Sequence, residues 1–84
     1  MIMSLDREDV PKYLQLASII REQIKSGELQ PRRAAPSELY LSQRYEIARD
    51  TVRKAMALLR EQGYVYVVRG LGTFVSPSED WPES

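Results

Sequence analysis

Two apolar stripes of helical spacing stand only three residues apart, and that spacing constrains this chain more than any other feature. Leu41 and Tyr45 mark the first stripe. Val52, Ala55, Met56 and Leu59 mark the second, at i, i+3, i+4 and i+7. Between them lies only Glu46-Ile47-Ala48. So short a break forces the two helices to cross and share one core. The spacing predicts a short helix from Ser37 to about Tyr45 and a longer one from about Arg49 to Gln62, closed by Gly63. The Ser37 hydroxyl suits an N-cap, and Glu38 suits the positive end of the helix dipole.

A further helix is expected upstream, from about Pro11 to Ser26. Tyr13, Leu16, Ala17, Ile20 and Ile24 form its apolar face, and Gly27 suits a left-handed stop. Residues 28–36 then read as a connector carrying Pro31 and Pro36. Downstream, Tyr64 to Val68 is β-branched and aromatic. Arg69-Gly70-Leu71-Gly72 reads as a turn, and Thr73-Phe74-Val75 returns as a second strand. The expected fold is mainly α with a small β-hairpin: a winged helix-turn-helix of three helices plus a wing. Its domain spans residues 10–75. A flexible tail is expected over 1–9 and an acidic disordered tail over 76–84.

The chain has 84 residues and neither cysteine nor histidine. That removes disulfides, thiolate chemistry, Cys/His zinc sites and histidine acid–base catalysis. No motif places a nucleophile beside a base, so no enzyme and no cofactor are expected. No apolar run approaches the roughly 18 residues of a membrane span, and the first residues lack a signal-peptide pattern. A cytoplasmic location without membrane contact is the expectation. The chain is also too short for a second pocket, so no small-molecule effector site is expected within it.

Formal net charge is zero, but it is unevenly spread. Residues 31–70 carry eight bases and four acids, whereas residues 71–84 carry three acids and no base. A basic centre between acidic ends points to a polyanion. On the third helix, Arg49, Arg53 and Arg60 share a stripe beside the apolar face. Asp50 and Lys54 lie further round at i, i+4. Arginine forks onto guanine O6 and N7, and the N-terminal end of such a helix reaches base edges. Arg49 and Arg53 occupy that end. A solvated arginine face is the competing reading. Arg69 between the helix and two glycines adds a basic tip whose backbone can approach a ligand; the competing reading is a plain hairpin that needs glycine for positive φ. Leu39 points away from Leu41 and Tyr45. It is either an ordinary surface leucine or an apolar contact to a thymine methyl.

The run Pro36-Ser37-Glu38-x-x-Leu41-Ser42-x-x-Tyr45-x-Ile47-Ala48-Arg49-Asp50-Thr51-Val52-Arg53-Lys54-Ala55 resembles the helix-turn-helix of the GntR family of bacterial transcription regulators. Pro11 to Leu16, the connector and the Gly70 to Val75 wing are similar as well, so the resemblance spans about residues 11–75. It implies sequence-specific binding of a double-stranded, pseudo-palindromic operator, with repression by occupancy. It places the recognition-helix arginines on Arg49 and Arg53, and backbone contacts on Ser37 and Thr51. The wing glycine that meets the minor groove falls on Gly70. Arg32, Arg33 and Arg69 would add phosphate contacts. A weak homodimer, or two monomers on DNA, is expected. A protein-docking winged helix is the alternative.

The resemblance also marks departures. Ala48 stands where the family has a Ser or Thr N-cap. Leu39 replaces a polar or basic residue, Pro31-Arg32-Arg33 replaces a Pro-Gly-Asp-like connector, and Glu46 stands where a turn glycine is frequent. The family also carries a larger effector-binding, dimerising domain that has no counterpart among these 84 residues.

Overall fold

The computed structural model describes Leu5 and residues 7–84. Three helices and a hairpin follow in the expected order: α1 (Lys12–Ser26), α2 (Glu38–Tyr45), α3 (Arg49–Gln62), β1 (Val65–Val68) and β2 (Gly72–Val75). Each boundary has a local cause. Pro11 precedes α1, and Gly27 ends it at φ 87°. Ser37 Oγ accepts the Tyr40 N–H at 3.1 Å and caps α2. Gly63 ends α3 at φ 93°.

The core lies where α1 and α3 cross. Leu16, Ala17 and Ile20 of α1 meet Val52, Ala55 and Leu59 of α3, all fully buried. Leu41, Ile47, Tyr64, Val65 and Val75 close it from α2, the turn and the hairpin. Burying an aliphatic side chain of this size stabilises a fold by about 1.5–3 kcal/mol. Tyr13, Tyr45 and Met56 pack at the rim of the core, half-buried.

The α2–α3 turn depends on Glu46, which adopts a left-handed backbone at φ 55°. Ser42 Oγ donates to the Ile47 carbonyl at 2.7 Å and the Ile47 N–H returns to the Ser42 carbonyl, which locks the turn. Among the described residues, Arg32 in the connector is the other non-glycine residue at positive φ, at 65°. Both positions are ones where the sequence departs from a glycine-bearing pattern.

The hairpin is antiparallel, with Val65 opposite Val75 and Val68 opposite Gly72. The connector is not a free loop. Ala34 bridges Phe74, the Arg32 N–H donates to the Val75 carbonyl at 2.7 Å, and the Ala35 N–H donates to the Thr73 carbonyl at 2.9 Å. The wing therefore leans on a third extended segment, which holds it against the body.

Residues 76–84, expected as an acidic disordered tail, lie against the body. Ser78–Asp80 forms a 3-10 turn, and Ser76 is buried. Trp81 packs on Tyr64 at 6.0 Å between ring centroids, and its indole N–H donates to the Ser76 carbonyl at 3.2 Å. Tyr64 OH donates to Glu83, whose carboxylate also meets Lys25 Nζ at 3.1 Å. Composition marks this segment as polar and acidic. Its apolar anchor is the Trp81 ring on Tyr64, a kind of contact that contributes about 0.5–1.5 kcal/mol beyond the area it buries.

Of the expected N-terminal tail, residues 1–4 and 6 lie outside the described residues. Leu5 packs against the core. Gln15 Nε2 donates to the Arg7 carbonyl at 2.6 Å and to the Val10 carbonyl at 2.7 Å, which ties Arg7 to Val10 onto α1.

Candidate nucleic-acid interface

Arg49 and Arg53 stand one turn apart at the start of α3, so their side chains leave the same side of the helix. Ala48 carries no hydroxyl, and no side chain caps α3. The Thr51 N–H turns back to the Ala48 carbonyl at 3.0 Å, so the N–H groups of Arg49 and Asp50 are the ones at that helix start left to face an anion.

Both arginines turn toward Glu38 at the start of α2. Arg53 Nε donates to Glu38 Oε1 at 3.2 Å, and Arg49 Nη2 lies 3.6 Å from the same oxygen. Arg53 Nη1 also donates to Asp50 at 2.9 Å. The i, i+4 partnership of Asp50 with Lys54 suggested by spacing does not form. Lys54 Nζ instead sits 4.6 Å from the centre of the Tyr13 ring on α1. The guanidinium groups remain more than half exposed. Ion pairs this wet contribute about 0–1 kcal/mol. They orient the arginines and yield readily to a stronger acceptor.

Ser37 spends one of its two acceptor lone pairs on the cap, and its hydroxyl proton can donate outward. Thr51 is half-buried in the first turn of α3. Arg32 and Arg33 are exposed on the connector that borders β2. Arg69 and Gly70 form the hairpin tip, with Gly70 at φ 84°. Leu39 is exposed, as its position opposite Leu41 predicts.

A groove runs between α3 and the wing. It is lined by Glu38, Arg53, Met56, Arg60, Val67 and Thr73. A second groove opens where Leu71 and Gly72 of the tip face Ser37 and Glu38. The helix start and the wing tip therefore share Glu38 as a common border. Sequence reasoning did not assign Glu38 a place at the site. It touches arginines 11 and 15 positions away, and no short-range pattern reveals that. Tyr40, Val67 and Leu71 are exposed as well.

Three helices, an exposed cationic helix start and a hairpin beside it define a winged helix-turn-helix domain of the DNA-binding type. The family model for bacterial regulatory proteins, gntR family, matches residues 12–75. The chain belongs to the GntR family.

The HTH-type transcriptional repressor NagR of Bacillus subtilis (strain 168) is 40% identical over 75 residues, which is 88% of this chain and 31% of NagR. The arabinose metabolism transcriptional repressor of Geobacillus stearothermophilus is 38% identical over 72 residues, covering 86% of this chain and 20% of that protein. This chain thus spans less than a third of either curated relative. Among solved structures, AraR(DBD) in complex with operator ORR3 superposes with a TM-score of 0.75 at 40% identity, covering 80% of this chain and 81% of the other. YtrA from Sulfolobus acidocaldarius, a GntR-family transcription factor, gives 0.80 at 32% identity, with 92% and 82% covered.

Among the described residues, no cluster of acids fit to hold a metal occurs, and no helix is long and apolar enough to cross a membrane.

Proposed function

We propose that this chain binds a specific double-stranded operator and represses transcription by occupying it. The observation that carries the proposal is the convergence of Arg49 and Arg53 on Glu38 at the exposed start of α3, beside the hairpin. In this reading α3 enters the major groove, and the two arginines meet base edges. Leu39 adds an apolar contact to a thymine methyl. Ser37, Thr51, Arg32, Arg33 and Arg69 meet phosphates, and the Gly70 backbone approaches the minor groove. The likeness to a repressor domain held on its operator supports this reading.

Exposed large apolar residues are split between α2 (Leu39, Tyr40) and the wing (Val67, Leu71). A docking module would present them as one patch, so DNA is the better-supported partner.

One domain reads few base pairs, and a pseudo-palindromic site recruits two copies. The free chain is expected to be monomeric in dilute solution. Two copies with about four phosphate contacts each give a slope of log affinity against log salt near −7, from about −0.9 per phosphate. Selection of bound sequences from a random duplex pool, followed by a salt titration on the selected site, tests the proposal. Recovery of no motif, or a slope near zero, refutes it.

A further inference from the structure

Leu71 is the most exposed large apolar residue among those described, at 75%. A single surface leucine needs no explanation by itself. Its setting differs from that of an ordinary one. It stands between Gly70 at φ 84° and Gly72 at φ 118°. A side-chain carbon built on either glycine meets no heavy atom within 4 Å, so neither glycine is packed against the body. The tip is also firmly shaped. The Leu71 N–H donates to the Val68 carbonyl at 2.9 Å, and Val68 pairs with Gly72. Gly70 holds the third turn position, where positive φ is required. The result is one apolar side chain on a narrow, glycine-flanked tip beside the Arg69 cation.

Its direction follows from its neighbours. Leu71 borders the same groove as Ser37 and Glu38, and Glu38 holds Arg53 and Arg49. The tip therefore belongs to the face that carries the arginines. With α3 in a major groove about 12 Å wide, the hairpin beside it reaches the neighbouring minor groove, about 6 Å wide. A bare tip with one branched side chain fits that width, whereas a broad loop would not.

We infer that Leu71 is a specificity-determining wedge: it presses into the minor groove flanking the site read by α3 and favours steps that unstack easily. This inference rests on the operator-binding reading proposed above. A leucine has no donor or acceptor and cannot read the minor-groove edges by hydrogen bonds. An apolar side chain there acts through deformation, partly unstacking a base step. Pyrimidine–purine steps such as TA and CA yield most easily, and A-tracts resist. The expected signature is a flank preference that hydrogen-bond readout does not explain.

The test uses the full chain and its Leu71→Ser and Leu71→Met variants, since an exposed turn side chain leaves the fold intact. Each is used to select sequences from a random pool. Each is then titrated against duplexes that share one core but carry either a TA step or an A-tract in the flank. Wild type should prefer the TA flank by about 5- to 10-fold, the size of one mismatched position. Leu71→Ser should lose that preference and keep the core motif, and Leu71→Met should restore it. If Leu71→Ser selects the same flanks as wild type, the wedge is wrong and operator reading stands. If wild type selects no core at all, operator reading itself fails and the wedge falls with it.

Discussion

The Glu38 carboxylate accepts Arg53 Nε at 3.2 Å, joining the start of α2 to the second turn of α3 across fifteen positions of chain. Asp50 takes Arg53 Nη1 from the other side. The guanidinium plane is thereby oriented, and donors on Nη1 and Nη2 remain for a base edge. An acid at this place has two opposed effects. It pre-orients the reading group, and it repels the phosphate backbone.

Replacing Glu38 by Gln separates those effects. Affinity for random duplexes should rise, because a negative charge leaves the interface. Discrimination between cognate and random duplexes should fall by about 5-fold, roughly 1 kcal/mol. Thermal stability should change by less than about 1 kcal/mol, the size of exposed pairs. Titrations on both duplexes and a melting curve check this. An unchanged cognate-to-random ratio would rule out an orienting role.

Arg49→Ala or Arg53→Ala should each cost about 1–3 kcal/mol on the cognate site and relax preference at one base position. Arg32→Ala or Arg33→Ala should weaken all sequences alike and reduce the magnitude of the salt slope by about 1. Binding measured on a panel of single-base variants distinguishes the two behaviours.

Backbone chemistry leaves stability to be gained at two positions of the turn. Ala48 holds the N-cap place of α3 at φ −64°, ψ 147° without a capping side chain. Ala48→Ser should stabilise the fold by a few tenths to about 1 kcal/mol. Glu46 occupies left-handed space, which costs a residue with a Cβ about 1–2 kcal/mol. Glycine there relieves that cost and adds about 0.5–1 kcal/mol of unfolded-state entropy, so Glu46→Gly should gain up to about 1 kcal/mol. Urea midpoints measure both changes, and a lowered midpoint contradicts the corresponding argument.

Docking of the C-terminal segment should depend on pH only at the extremes. The hydrogen bond from Tyr64, then that from Lys25, holds the Glu83 carboxyl below its ordinary range. Its contribution is present above the ordinary carboxylate pKa and is lost as pH falls through the lowered one. Burial, then the bond to Glu83, raises the Tyr64 phenol, and the bond to Glu83 raises Lys25. Those contributions hold below the ordinary values and are lost as pH rises through the raised ones. With no histidine in the chain, nothing in this cluster titrates near neutrality. Trp81 is the single tryptophan, so its emission reports docking directly. It should be flat from about pH 6 to 9 and shift to the red in acid below the ordinary carboxylate range. Glu83→Gln should remove most of the acid shift, and a full shift in that variant would assign it elsewhere.

Element order, the limits of α3 and the exposure of Leu39 were legible in the sequence, and the uncapped Ala48 was marked by the family resemblance. Each depends on contacts within about one helical turn or on a backbone preference of one residue, and such information is stored locally in the chain. Even the left-handed Glu46 was marked, as a residue in a glycine's place. Other features were settled by the tertiary structure alone. Glu38 became the shared ion-pair partner of two arginines because α2 crosses the start of α3. Residues 32–35 became a partner of β2 because the connector runs back along the hairpin. The acidic C-terminal segment meets the body through Trp81 on the Tyr64 ring, seventeen positions earlier, at the junction of α3 and β1. Those partners are separated by many residues, and which of many possible partners meets a side chain is decided by how the helices cross, a property that no local periodicity encodes.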